Sequence, residues 1–115
     1  MPDDQLVMWM GPSMTIAFEK YTTEFSPGAT AELDKLADIL RQYGGAKLIV
    51  NAHTDKRAKK ADAVTQAQAD AVKAYLVGKG VAAERITAVG KGSKEPADKR
   101  NRDKNRRIEL DIANP

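Results

Sequence analysis

Apolar positions along the chain recur with two periods. Met14, Ile16 and Phe18 alternate with their neighbours, the period-two pattern of a half-buried strand, so residues 14–18 are expected as the first strand. The apolar stretch from Leu6 to Met10 is a candidate edge strand in a lead-in of residues 1–13 that precedes a domain of residues 14–115. Ser26-Pro27 reads as an N-cap followed by proline at the first helical position. Leu33, Leu36, Ala37 and Leu40 then fall at helical spacing, and Gly44-Gly45 supplies the stop. Leu48-Ile49-Val50 is a short buried-strand signal that runs into the polar stretch 51–55.

A second helix is expected from Ala61 to Val77, ended by Gly78 and Gly80. Its apolar stripe takes in Val64, Ala67, Ala71, Val72, Tyr75 and Leu76, with Gln68 beside it, one turn from Val64 and Val72. Residues 85–89 give a third strand before the turn-rich Gly90-Lys91-Gly92-Ser93. After a charged loop, residues 107–112 alternate, with Ile108, Leu110 and Ile112 inward and Arg107, Glu109 and Asp111 outward. The order is βαβαββ. It predicts an α+β fold, with one sheet and two main helices packed on one face. The long helical crossovers require some parallel pairing.

With 115 residues, the chain has the length of one domain, and a domain of this size buries roughly two-thirds of its unfolded surface. No cysteine is present, so thiolate metal sites and disulfides are excluded, and the redox compartment stays open. No apolar run reaches the ~18–20 residues that span a bilayer. The start, Met1-Pro2-Asp3-Asp4, lacks the features of a signal peptide. Either the chain is cytoplasmic, or it is a domain taken from a longer exported protein.

His53 is the one histidine, and Asp55 follows two residues later. No Gly-x-Ser-x-Gly turn marks a nucleophile, and one histidine with one carboxylate falls short of a zinc site. No enzyme activity, cofactor or metal is therefore expected. Between Lys91 and Arg107 eight basic residues face three acids, and Lys56, Arg57, Lys59 and Lys60 form a second cluster. Aromatic residues make up only 5% and none interleaves with the basic run, so solvated loops are preferred over a nucleic-acid surface. The more informative group is polar. Thr54 and Asp55 end the second strand, while Glu19 and Tyr21 follow the first. If those two strands lie side by side, a carboxylate pair and hydroxyls converge at one edge of the sheet, in a site suited to an ammonium group. The plainer alternative is that Thr54-Asp55 caps the following loop.

Taken in order, several segments resemble the OmpA-like C-terminal domain family, which includes the peptidoglycan-associated lipoprotein and MotB. Residues 18–21 (Phe-Glu-Lys-Tyr) are similar to its Phe-Asp-x-x opening. Residues 33–40 and 69–76 resemble its two helices, and residues 49–55 resemble the strand that ends Gly-His-Thr-Asp. Residues 86–92 and Asn105-Arg106-Arg107-Ile108-Glu109 match its strand-Gly-x-Gly and Asn-Arg-Arg-hydrophobic-Glu signatures. The resemblance spans residues 14–112.

It implies a mixed sheet with helices on one side. It also implies a non-catalytic, periplasmic module that anchors an envelope protein to the cell wall by binding the stem peptide of peptidoglycan. In that family an aspartate and a helix arginine clamp diaminopimelate. The carry-over gives Asp55 the ammonium-facing role in an open polar cleft, with Thr54, Glu19, Tyr21 and Gln68 around it. Other envelope proteins are further candidate partners, and a membrane would be reached only through a missing part of the parent chain.

The sequence departs from the pattern at Gln68, which stands where the family has arginine. Ala61 stands near a family asparagine, Ala52 replaces the glycine, and the loop after Asp55 is shorter. A hydrogen bond to a charged group is worth about 1.5–3 kcal/mol, so losing one partner weakens binding by roughly one to two powers of ten. Lys56, Arg57 and Lys60 are cations that could replace the missing charge. The alternative function is a degenerate OmpA-like domain that no longer binds peptidoglycan and serves as a structural or protein-interaction unit.

Overall fold

The first helix, α1 (Ala29–Gln42), buries Leu33, Leu36, Ala37 and Leu40, the four positions that the spacing singled out. A fully buried leucine contributes about 1.5–3 kcal/mol, whereas an exposed pair such as Lys35–Glu32 contributes about 0–1 kcal/mol. The apolar face therefore seats the helix. The structure is a computed structural model that describes residues 14–15, 18–19, 21–26, 28–42, 44–94 and 107–113, without the side chains of residues 14, 15, 112 and 113. The lead-in and its candidate edge strand lie outside the described residues, as does most of the charged loop before residue 107.

Four strands form one mixed sheet: β1 (Met14–Thr15), β2 (Lys47–His53), β3 (Ile86–Gly92) and β4 (Arg107–Ala113). Their order is β1-β4-β2-β3. Strands β2 and β3 run parallel, joined through helix α2 (Ala61–Gly78) and a short 3-10 turn (Ala83–Arg85), while β4 is antiparallel to both β2 and β1. The fold is α+β in the expected βαβαββ order, with both helices on one face. Leu33, Leu36 and Leu40 of α1 and Val72 and Leu76 of α2 share one core cluster with Leu48, Val50, Ile86 and Ile108 of the sheet.

Several local expectations are corrected. Of the first strand, Met14–Thr15 is described and Ile16 and Ala17 lie outside the described residues, while Phe18 pairs with Phe25 across an isolated bridge. Strands β1 and β2 are not side by side, because β4 lies between them. Ser26 is not the N-cap. Its carbonyl accepts from Ala29 N at 3.0 Å in a turn, and α1 begins only after Gly28, whose φ of +88° redirects the chain.

On α2 the buried stripe is Thr65, Gln68, Ala69, Val72 and Leu76, and Ala67 is exposed. The stripe is rotated because the helix lies tightly against β3. A Cβ at Gly90 would overlap Gln66 N and Cα, so a residue with no side chain lets backbone meet backbone there. Gly90 and Gly92 pair with Ala52 and His53 and so belong to β3, where a turn was expected. Arg107 does lie in alternation with Ile108, yet it is buried, with its Nε donating to Glu109 Oε1 at 2.7 Å.

The close approach has a second consequence. In the strand order β3 is an outer strand of the sheet, and its exposed edge would be open to pairing. The Gln66 side-chain amide occupies that edge: Nε2 donates to Ala88 O at 3.1 Å and Oε1 accepts from Gly90 N at 3.0 Å. Thr65 Oγ1 accepts from Gly92 N at 3.0 Å. Side chains from the helix thus substitute for a neighbouring strand.

Candidate functional site

Strand β2 carries its polar end inward. His53 and Thr54 are buried and Asp55 is 1% exposed. Thr54 N donates to Gly92 O at 3.0 Å, which continues the contact with β3 beyond a register shift at Ala52/His53. The chain then turns around the Asp55 carboxylate. Arg57 N donates to Asp55 Oδ1 at 2.8 Å, and Ala58 N donates to Asp55 O at 3.2 Å. This is the aspartate-led turn in which the side chain accepts from the backbone two residues on. Asp55 therefore does cap its loop.

The opposite wall of the site is a turn of residues 19–24. Phe18 and Phe25 close its base with stacked rings whose centroids lie 4.9 Å apart, and Phe25 meets Tyr75 of α2 edge-on at 5.6 Å. Within the turn, Glu19 N donates to Glu24 O at 2.7 Å, and Thr22 donates to Glu19 O from both N and Oγ1, at 3.0 and 2.9 Å. Tyr21 sits at its tip with a φ of 60°, in the left-handed region that bulky residues seldom occupy.

From there the Tyr21 hydroxyl lies 2.7 Å from Asp55 Oδ1 and 2.8 Å from Oδ2. One proton cannot serve two acceptors fully, so the hydrogen bond is shared between the oxygens. Beside it, Gln68 is 6% exposed and donates from Nε2 to Thr22 O at 2.9 Å. The turn is thus fastened at two adjacent points, by Tyr21 to the end of β2 and by Thr22 to α2.

Tyr21, Asp55 and Gln68, named from sequence, therefore meet around one turn, and Thr54 adjoins them as the residue before Asp55. The Thr54 hydroxyl is buried with no hydrogen-bond partner among the described residues. Glu19 belongs to the turn, but it is exposed and its contribution there is backbone. The expected open carboxylate is not found: Tyr21, reaching across from the turn, covers Asp55. His53 takes a different direction, with Nε2 3.6 Å from Glu109 Oε2 on β4. Sequence reasoning missed Thr22, which acts through its carbonyl and so carries no side-chain signal. The Arg57 amide, by contrast, is the kind of donor implied by the alternative that Thr54-Asp55 caps the following loop.

Among the described residues no cluster of three or more histidines or carboxylates could hold a metal ion, and no helix is long and apolar enough to cross a membrane.

The fold agrees with what comparison with known proteins finds. The model of the OmpA family matches residues 17–109. The chain is 34% identical over 105 residues to outer membrane porin F of Pseudomonas fluorescens, a match that covers 86% of this chain and 32% of the porin. It is 33% identical over 101 residues to the peptidoglycan-binding protein ArfA of Mycobacterium tuberculosis, covering 83% of this chain and 31% of that protein. The chain thus spans about a third of the length of these two relatives. Among solved structures, the peptidoglycan-associated lipoprotein from Burkholderia pseudomallei superposes with a TM-score of 0.77 at 25% identity, over 90% of this chain and 91% of that one.

Proposed function

The chain belongs to the OmpA family, and from that membership we propose that it is a non-catalytic module that binds peptidoglycan and anchors a larger envelope protein to the cell wall from the periplasm. Two of the similar proteins are named for peptidoglycan, the mycobacterial peptidoglycan-binding protein and the peptidoglycan-associated lipoprotein. The ligand proposed is the stem peptide, held by the ammonium group of its diaminopimelate. Other envelope proteins are proposed as partners of the parent protein.

The observation that carries the reading is the Asp55 carboxylate just beyond the end of β2, with the Tyr21 hydroxyl across both of its oxygens and Arg57 N on Oδ1. An ammonium group has three donors where the tyrosine has one, and its bonds to a carboxylate are charge-assisted and about twice as strong as neutral ones. The stem peptide would enter by displacing the Tyr21 hydroxyl. The left-handed φ of Tyr21 lowers the cost of that step, since such a conformation holds about 1–3 kcal/mol of strain that a moving turn releases. Thr54, with its unpartnered hydroxyl, would add a polar contact.

The experiment is a titration of the labelled domain with a diaminopimelate-containing tripeptide, followed by nuclear magnetic resonance. Amide shifts should move around Tyr21, Thr54 and Asp55, and Asp55→Ala should abolish them. Wild-type spectra that stay unchanged at millimolar peptide would overturn the reading.

One observation favours the second reading, a domain that has lost this ligand. Asp55 is buried beneath Tyr21, and Gln68, which stands at the position of the family arginine, is committed to Thr22 O. Under that reading the turn and the end of β2 form a closed structural lock, and the peptide leaves both wild type and Gln68→Arg unaffected.

A further inference from the structure

The loop that follows Asp55 carries Lys56, Arg57, Lys59 and Lys60, all four exposed. None of them pairs with a carboxylate among the described residues. The nearest acid in sequence beyond the loop, Asp62, faces Lys94 at 3.9 Å. The loop is also not free to wander at its start, because Arg57 N and Ala58 N are both bonded to Asp55. Four exposed cations, with no carboxylate partner among the described residues, thus stand on the loop whose first turn is bonded to Asp55. Helix α2 offers no such charge at this place, since the side chain it sends to the turn is the neutral Gln68.

Resting on the peptide-binding reading above, we propose that the loop of residues 56–60 is the carboxylate-receiving half of the same site. A ligand whose ammonium meets Asp55 would lay its carboxylates against Lys56, Arg57, Lys59 and Lys60. The arrangement reads a zwitterionic peptide through two surfaces of opposite sign set one residue apart in the chain. Exposed like charges within a Debye length of ~10 Å repel one another, and a docked dianion relieves that repulsion as well as pairing with it. The binding half built on the loop is therefore sensitive to salt, while the half at the buried Asp55 is screened much less.

The test compares the wild-type domain with a variant that carries Lys56→Gln, Arg57→Gln, Lys59→Gln and Lys60→Gln. These side chains are exposed, and the Arg57 N–H that holds Asp55 is retained. A single reversal, Lys59→Glu, serves as a milder second variant. Each is titrated with the diaminopimelate tripeptide and with the same peptide amidated at its carboxylates, at low salt and at roughly tenfold higher salt.

The fourfold variant should bind the free-acid peptide about fivefold to tenfold more weakly than wild type, the combined effect of two or so exposed pairs, and should lose most of the salt dependence. Amidation should weaken wild type by a similar factor and leave the variant unchanged. Equal affinity of wild type and variant, or indifference of wild type to amidation, would overturn this inference while leaving peptide binding at Asp55 intact. A wild-type domain that binds neither peptide overturns the functional reading and this inference with it.

Discussion

The hydroxyl of Tyr21 lies across both oxygens of Asp55, at 2.7 and 2.8 Å, although the two residues stand 34 positions apart and the strands that precede them, β1 and β2, are not neighbours. This bond ties the turn of residues 19–24 to the sheet and covers the carboxylate with the protein's own donor. In Tyr21→Phe the ring stays and the donor goes. A hydrogen bond to a charged group is worth about 1.5–3 kcal/mol, so urea unfolding should show a loss of that order. A ligand that must displace the hydroxyl would no longer have to break this bond, so the same variant should bind the stem peptide about tenfold more tightly. Lower affinity in Tyr21→Phe would mean that the tyrosine contacts the ligand instead of competing with it.

Gln68 holds the other end of the turn through Thr22 O at 2.9 Å. Gln68→Ala should therefore cost about 1 kcal/mol, and amide exchange across residues 19–24 should quicken more than in α1 or β2. Gln68→Arg restores a fixed cation with several donors at that place. It should tighten stem-peptide binding by roughly tenfold if Asp55 is a ligand residue, with isothermal titration as the readout. No gain in Gln68→Arg, in a folded protein, would favour the structural-lock reading.

Thr65 and Gly90 fix how closely α2 lies on β3. Thr65 is fully buried, and its hydroxyl accepts from Gly92 N at 3.0 Å. Thr65→Val keeps the shape and strands that N–H, so a loss of about 1–3 kcal/mol is expected, with Thr65→Ser retaining the bond. Gly90→Ala forces a methyl into Gln66 N and Cα and should cost at least as much, because backbone on both sides must move. Thermal unfolding of the three variants checks the order.

The parts of the fold that were readable in the sequence are those where period and burial coincide. Leu33, Leu36 and Leu40, or Ile108 opposite Ala52, announce themselves because the same residues that set the pattern fill the core. The stripe of α2 was misread at Ala67, where alanine is small enough for either side, and Thr65 was passed over because its hydroxyl hides a buried role. For the site, Tyr21 reaches Asp55 and Gln68 holds the same turn through Thr22 O, by a route that the sequence did not indicate. Convergence of Tyr21 with Asp55 is expected on the condition that β1 and β2 lie side by side, whereas β4 separates those strands and a turn reaches past the sheet. The covering of Asp55 depends on one residue taking a left-handed φ, and nothing local in the sequence at Tyr21 signals that choice.

Away from the site, Tyr75 of α2 donates to Asp34 Oδ1 of α1 at 2.7 Å, with Lys79 Nζ 3.5 Å from the same oxygen. The hydrogen bond from Tyr75, followed by the charge of Lys79, holds the Asp34 carboxyl below its ordinary value of 3.8. The same bond pushes the Tyr75 phenol above its ordinary 10.0. The two shifts act at opposite ends of the pH scale. A carboxyl with a depressed folded pKa stabilises the fold above its unfolded value, and that contribution is lost as pH falls below 3.8 through the folded pKa. A phenol with a raised folded pKa stabilises the fold below 10.0, and its contribution is lost as pH rises beyond that through the folded pKa. Between those limits the helix–helix tie should be independent of pH. Tyr75→Phe should raise the Asp34 pKa toward its ordinary value, read from the side-chain carboxyl carbon shift across an acid titration. It should also flatten the acid limb of the stability curve. An unchanged Asp34 titration in that variant would mean that Lys79, and not the tyrosine, holds the carboxylate ionised.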